Sequence, residues 1–227
     1  MRTDADMMTG TRIVVPDDIT VFEVMTIPKN GHSNIVETMG VFSGRNDIVE
    51  VVLPEGITEI TESMFCRCRN LERVVLPDSI IKIDWYAFSG CKKLEDITFP
   101  NKVTKIGVGA FLACKSLKSI TVPEGVAFLD NDTFNACHNL ANVNLPQSLV
   151  AIYPEAFASC ASLKSIIIPN SVKRIDEFAF FDCSSLHDIV LPKNPPRIDF
   201  QAFRRCPGLS LQTKQNLLCT NPECIFD

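Results

Sequence analysis

Short alternations of apolar and polar residues recur along the chain, each closed by a proline. In the stretch LKSITVPEGVAFLDNDTFNAC, Leu117 to Cys137, Ile120 and Val122 alternate with Ser119 and Thr121, which predicts a short strand with one buried face. Pro123 ends that strand, because proline has no amide to donate to a ladder. A second apolar pair follows at Val126 and Leu129, and then Thr133-Phe134, where one helical or 3-10 turn is predicted. The phrase returns every 23 residues. Phenylalanine recurs at Phe42, Phe65, Phe88, Phe111, Phe134, Phe157, Phe180 and Phe203, and cysteine three residues later at Cys68, Cys91, Cys114, Cys137, Cys160, Cys183 and Cys206. Leucine keeps the same register at Leu71, Leu94, Leu117, Leu140, Leu163, Leu186 and Leu209. Proline does so at Pro54, Pro77, Pro100, Pro123, Pro146, Pro169 and Pro192. A fixed period of this length is the mark of a repeat architecture.

Each unit reads as one coil of a right-handed solenoid. A single coil buries too few side chains to offset the entropy of ordering its backbone, so neighbours must pair strand to strand and share one core. The expected fold is an α/β repeat, rich in β structure, with a parallel β-sheet on one face and short helical or 3-10 turns on the other. Residues 1–10 read as a disordered tail, and 11–48 as an N-terminal cap. Within that cap, VVPDDITVF (Val14 to Phe22) makes a degenerate first repeat, and a loop is inserted around KNGHSN. Residues 49–209 hold seven repeats, and 210–227 form a second cap, with SLQTKQNLLCTNPECIFD read as a short helix and a tail. Caps are needed because bare end strands invite aggregation.

The phrase Ala-Phe-x-x-Cys-x-x-Leu-x-x-Ile-x-Leu-Pro-x-x-Ile-x-x-Ile, nearly complete from Phe88 to Ile106 and from Phe157 to Ile175, resembles the BspA-like class of leucine-rich repeats. The likeness covers about Val49 to Leu209. It implies a leucine-rich-repeat solenoid, a fold that serves many unrelated roles, often as a surface or adhesive module. By the same analogy, binding falls on the exposed sheet surface.

Composition narrows the function. Apolar residues make up 46% and charged residues 22%, as in a packed globular chain. With 22 Lys and Arg against 27 Asp and Glu, the net charge of −5 disfavours nucleic acid as a partner. No run of apolar residues is long enough for a membrane helix, and Asp4 and Asp6 stand where a secretory signal would be apolar. A cytoplasmic protein with reduced thiols is therefore expected. The cysteine ladder agrees: equivalent positions in adjacent coils sit about 4.7–4.9 Å apart, wider than the roughly 3.8 Å between disulfide β-carbons. Cys66, Cys219 and Cys224 lie outside the ladder, and neither Cys66-x-Cys68 nor Cys219-x4-Cys224 has the spacing of a zinc knuckle; free thiols are expected, with a Cys219–Cys224 disulfide the alternative.

Candidate chemistry is sparse. His32, His138 and His187 lack a local nucleophile or metal partner, and Gly107-x-Gly109 lacks the third glycine of a dinucleotide loop. Neither catalysis nor a cofactor is expected. Asn131-Asp132-Thr133 is a glycosylation sequon, relevant only to an exported chain. The candidate interface is the outward side of the strands, in two columns: Arg73, Asp96, Ser119, Asn142, Ser165 and Asp188, and Val75, Thr98, Thr121, Asn144, Ile167 and Val190. The alternative is a merely solvated face. A secondary aromatic patch is formed by Trp85, Tyr86, Phe178, Phe181 and Phe200, which break positions polar elsewhere. Lys82, Lys105, Arg174 and Arg197 make a basic column interrupted by Phe128 and Ala151. The function expected is a non-enzymatic scaffold, itself a monomer, that binds another protein; the alternative is an adhesin or carbohydrate-binding module.

Overall fold

The computed structural model describes residues 11–14, 25–27 and 37–227. Residues 1–10, the KNGHSN loop, His32 and most of Val14 to Phe22 lie outside the described residues. Within them, the sequence period becomes a stack of coils with two strand ladders. The first runs through Ile48–Val52, Arg73–Val75, Ser119–Thr121, Asn142–Asn144, Ser165–Ile167 and Asp188–Val190. The second runs through the two-residue strands Glu59–Ile60, Lys82–Ile83, Lys105–Ile106, Phe128–Leu129, Ala151–Ile152, Arg174–Ile175 and Arg197–Ile198. Paired strands are parallel, and equivalent residues of adjacent coils face each other, as in Val51↔Val74 and Ile152↔Ile175.

Neither ladder is continuous: the second opens between Lys105–Ile106 and Phe128–Leu129, and the first opens at two places. Asp96, Ile97 and Thr98 occupy a strand position in the repeat, yet none of them is joined by a backbone hydrogen bond to either neighbouring coil. A second opening separates Asn142–Asn144 from Ser165–Ile167. The sheet expected on one face is thus divided into short ladders of two or three strands, while the core behind it is unbroken.

That core is a column of rings. From Phe42 to Phe203, each phenylalanine of the period stacks on the next at 5.1–5.5 Å, with planes within 15°. The seven rings from Phe65 onward are essentially sealed from water. Beside them every cysteine of the period donates its Sγ–H to the carbonyl of a phenylalanine one coil back: Cys68 to Phe42 at 2.9 Å, Cys137 to Phe111 at 3.1 Å, Cys206 to Phe180 at 3.0 Å. The same carbonyl accepts the amide of the cysteine in its own coil, as when Phe65 O receives Cys68 N–H at 3.1 Å and Cys91 Sγ–H at 3.1 Å. Both lone pairs of a buried carbonyl are thereby used. A small apolar side chain with one weak donor suits the slot.

The turn carrying each phenylalanine has a backbone of its own. Amide hydrogen bonds alternate: Ser63, Phe65 and Arg67 donate to the next coil, whereas Met64, Cys66 and Cys68 donate three residues back. The local bonds have 3-10 span, but residues in the left-handed region prevent a helix from propagating. One column of these is Ser63, Tyr86, Gly109, Asp132, Glu155 and Phe178; another is Gly44, Arg67, Gly90, Ala113, Ala136, Ser159, Asp182 and Arg205. For a residue with a Cβ this conformation costs roughly 1–2 kcal/mol. The amides it turns toward the neighbouring coil are the compensation.

At the two ends other segments cover the array. Thr11–Val14 pairs parallel with Ile48–Val52, adding one strand to the first ladder, and Met25–Ile27 pairs antiparallel with Glu37–Met39. At the opposite end the helix Leu211–Thr220 is capped by Ser210, whose side chain accepts from Thr213 N–H, and buries Thr213 and Leu217. Asn221 Nδ2 then donates to Ile198 O at 3.0 Å, and Ile225 N–H to Phe200 O at 2.8 Å. Phe226, one period beyond Phe203, packs against the core.

Candidate functional site

Strand pairing in register aligns the outward side chains into columns. Of the twelve strand-face residues expected from the sequence, eleven are exposed; Val75 is half-buried. Their upstream equivalents, Glu50 and Val52, lie under Thr11–Val14, where Arg12 Nε sits 2.8 Å from Glu50 Oε2 and Arg73 Nε 3.8 Å from Glu50 Oε1. From there the face changes character. Arg73 and Asp96 are charged, whereas Ser119, Thr121, Asn142 and Asn144 are neutral and polar, with Asn144 Nδ2 donating to Thr121 Oγ1 at 3.1 Å. Ile167 and Val190, paired across adjacent strands, are apolar and 67% and 53% exposed. Asp188 beside them is held below the usual carboxylate range, first by its hydrogen bond with His187, whose Nδ1 is 3.1 Å away.

Two grooves meet where the first ladder opens. One of about 570 Å³ is lined by Glu72, Arg73, Lys93, Glu95, Asp96 and Ser116. The other, of about 460 Å³, is lined by Arg73, Val75, Leu76, Asp96, Thr98 and Phe99 among others. Arg73 and Asp96 belong to both, so four strand-face candidates border a recess rather than a flat sheet. This recess was not legible in the sequence, because the residues at the opening fit the repeat.

The aromatic residues do not form one patch. Trp85 and Tyr86 lie over the next coil: a Cβ on Gly107 would come within 2.7 Å of the Trp85 ring, and one on Gly109 would run into the Tyr86 ring. The Gly-x-Gly pair makes room for two large side chains, which is its structural reason. Phe178 and Phe181 meet edge to face at 5.4 Å in a different coil, and Phe200 is 39% exposed near the end of the stack. Sequence reasoning missed Tyr153. It stacks on Phe128 at 5.8 Å and carries the Arg174 guanidinium over its ring at 4.7 Å. Its signal was an aromatic in a column that elsewhere holds Thr61, Gly107 and four aspartates, Asp84, Asp130, Asp176 and Asp199. The basic column is partly tied up: Lys82 Nζ reaches Glu59 at 2.6 Å and Asp84 at 2.7 Å, and Ala151 is buried.

The cysteines are free thiols, including Cys219 and Cys224. Burial pushes the Cys68 and Cys137 thiols up to about 12, and those of Cys91, Cys114, Cys160 and Cys183 well above their ordinary 9.0. A thiol that resists ionisation is neither a nucleophile nor a metal ligand. Among the described residues no group of three His, Cys, Asp or Glu side chains is placed to hold a metal ion. No helix of the described residues is long and apolar enough to cross a membrane.

Parallel coils, a phenylalanine stack and an outward strand face together define a leucine-rich-repeat solenoid. The chain belongs to the BspA type leucine-rich repeat family, whose profile matches residues 22–140 and 109–226 in six copies. Among solved structures, a leucine-rich repeat protein from Bacteroides ovatus is 31% identical, with a TM-score of 0.75 over 88% of this chain and 50% of that one. The chain thus spans about half the length of that protein. The T. pallidum leucine-rich repeat protein is 23% identical, with a TM-score of 0.67 over 96% of this chain and 86% of that one, a likeness of fold. Comparison with curated proteins finds no match.

Proposed function

We propose that the protein is a non-enzymatic scaffold that binds another protein through the strand face. The observation that carries the reading is the contrast along that face. Backbone spacing is held by the repeat while the exposed chemistry varies from coil to coil: charged at Arg73 and Asp96, small and polar from Ser119 to Asn144, and mixed at the far end, where apolar Ile167 and Val190 stand beside Ser165 and Asp188. A surface of this kind offers a few anchors at defined spacing, and a few anchors dominate binding energy. The reading includes a reducing compartment, the cytoplasm, supported by ten free cysteines.

Asn142→Arg with Asn144→Arg tests it. Both side chains are exposed, so the melting temperature is expected to stay within a degree or two while capture of the protein partner falls at least tenfold. Capture that is indifferent to the two arginines, or that falls only as the fold is lost, contradicts the assignment.

A further inference from the structure

Phe178 and Phe181 depart from the repeat together. Their equivalents are Ser63, Tyr86, Gly109, Asp132, Glu155 and Gln201 for the first, and Cys66, Ser89, Leu112, Asn135, Ala158 and Arg204 for the second, so no other coil carries an aromatic at both positions. Neither ring belongs to the buried column, and both are half-buried at the surface. With Glu155, Arg204 and Arg205 they enclose a cleft of about 350 Å³.

The two walls differ in charge. The Arg205 guanidinium lies 5.4 Å from the centre of the Phe181 ring, and its Nε is 3.7 Å from Asp182 Oδ1, too far for a hydrogen bond. Arg204 uses only Nε, donating to Asp227 O at 3.2 Å. The terminal amino groups of both arginines have no hydrogen-bond acceptor among the described residues. Glu155, on the other side, is drawn toward the preceding coil, where Asn135 Nδ2 donates to it at 3.1 Å. The cleft therefore presents two aromatic rings and a guanidinium pair with donors to spare.

Phe178 also occupies a backbone position that does not favour it. Its φ is +56°, and Gly109 at the equivalent position has φ +58°. The conformation belongs to the turn, since Tyr86 at the equivalent position has φ +54°, but a bulky residue holds it at a cost that glycine does not bear.

From these observations we infer that this cleft is a second docking site, which takes a peptide segment of a partner protein carrying a large apolar side chain next to a carboxylate. The apolar side chain fills the space between Phe178 and Phe181, and the carboxylate accepts two parallel N–H bonds from Arg205, the geometry guanidinium groups favour. The cleft shares no residue with the strand columns, so it extends the proposed scaffold role to a separate surface.

Calorimetric titration with Ac-Asp-Phe-Asp-NH2, Ac-Asn-Phe-Asn-NH2 and Ac-Asp-Ala-Asp-NH2 tests the site. The first peptide is expected to bind at least tenfold more tightly than either of the others, and Arg205→Ala to remove at least tenfold of that affinity. Phe178→Gly is the decisive variant: it is expected to abolish binding while leaving the melting temperature unchanged or raised, since glycine relieves the left-handed backbone. Equal binding of the three peptides, binding of none, or a Phe178→Gly protein that melts lower and binds as before overturns the assignment. Asn142→Arg with Asn144→Arg is expected to leave peptide binding intact, so this site and the strand face stand or fall separately.

Discussion

A buried thiol in each coil links packing to pH. Cys137 is wholly buried, and desolvation raises its pKa to about 12 from 9.0. The folded state therefore holds the proton more tightly than the unfolded chain. Its contribution to stability is complete below pH 9 and is lost progressively as pH rises from 9 toward 12, at about 1.4 kcal/mol per pH unit for each such thiol. Five other ladder cysteines shift in the same direction. Urea midpoints are expected to fall steeply as pH rises above 9, and less steeply for Cys137→Ser, whose hydroxyl can still donate to Phe111 O. Identical slopes for the two proteins would contradict this account. The residues that do this were evident in the sequence, since the period names each one. Their carbonyl acceptors were legible only as a class.

At the scale of the element, the coil is held by bonds that come in two kinds. Residues in and beside the strands donate to the coil on either side, as Asp84 N–H does to Ile60 O and Ile168 N–H to Val190 O, and turn residues alternate between the next coil and their own. Glycine marked a few of the left-handed positions, namely Gly44, Gly90 and Gly109, but Ala113, Ala136 and Asp182 occupy the same columns. Nothing in an alanine codon by codon signals positive φ, so this half of the coil was hidden. The same holds for the open ladder at Asp96 to Thr98, whose residues are ordinary strand formers in the right register. Amide hydrogen exchange separates the elements: Ile97 N–H is expected to exchange at least tenfold faster than Val122 N–H, which donates to Asn144 O at 3.0 Å. Equal protection would mean that the ladder is closed.

For the whole molecule, neighbour contacts dominate, so stability depends on an uninterrupted stack. Phe134 is fully buried between Phe111 and Phe157, at 5.5 Å from each. Phe134→Ala is expected to cost about 3–5 kcal/mol and to broaden or split the thermal transition, because the halves on either side can then unfold separately. Phe203→Ala, near the end of the stack, is expected to leave the rest of the array cooperative. Calorimetry distinguishes them, and an unaltered transition for Phe134→Ala would refute a load shared along one axis.

The sequence by itself determined the coil: which side chains turn inward, where strands stop, and which residues stand outward in columns. It could do so because each unit meets only its neighbours, and a constant period makes those contacts a property of spacing. Only the tertiary structure decided which irregular residues meet. Trp85 over Gly107, Tyr153 between Phe128 and Arg174, and Phe178 with Phe181 beside Arg205 depend on rotamers and on how far adjacent coils spread. Those are set by packing in three dimensions, which a repeat pattern does not encode.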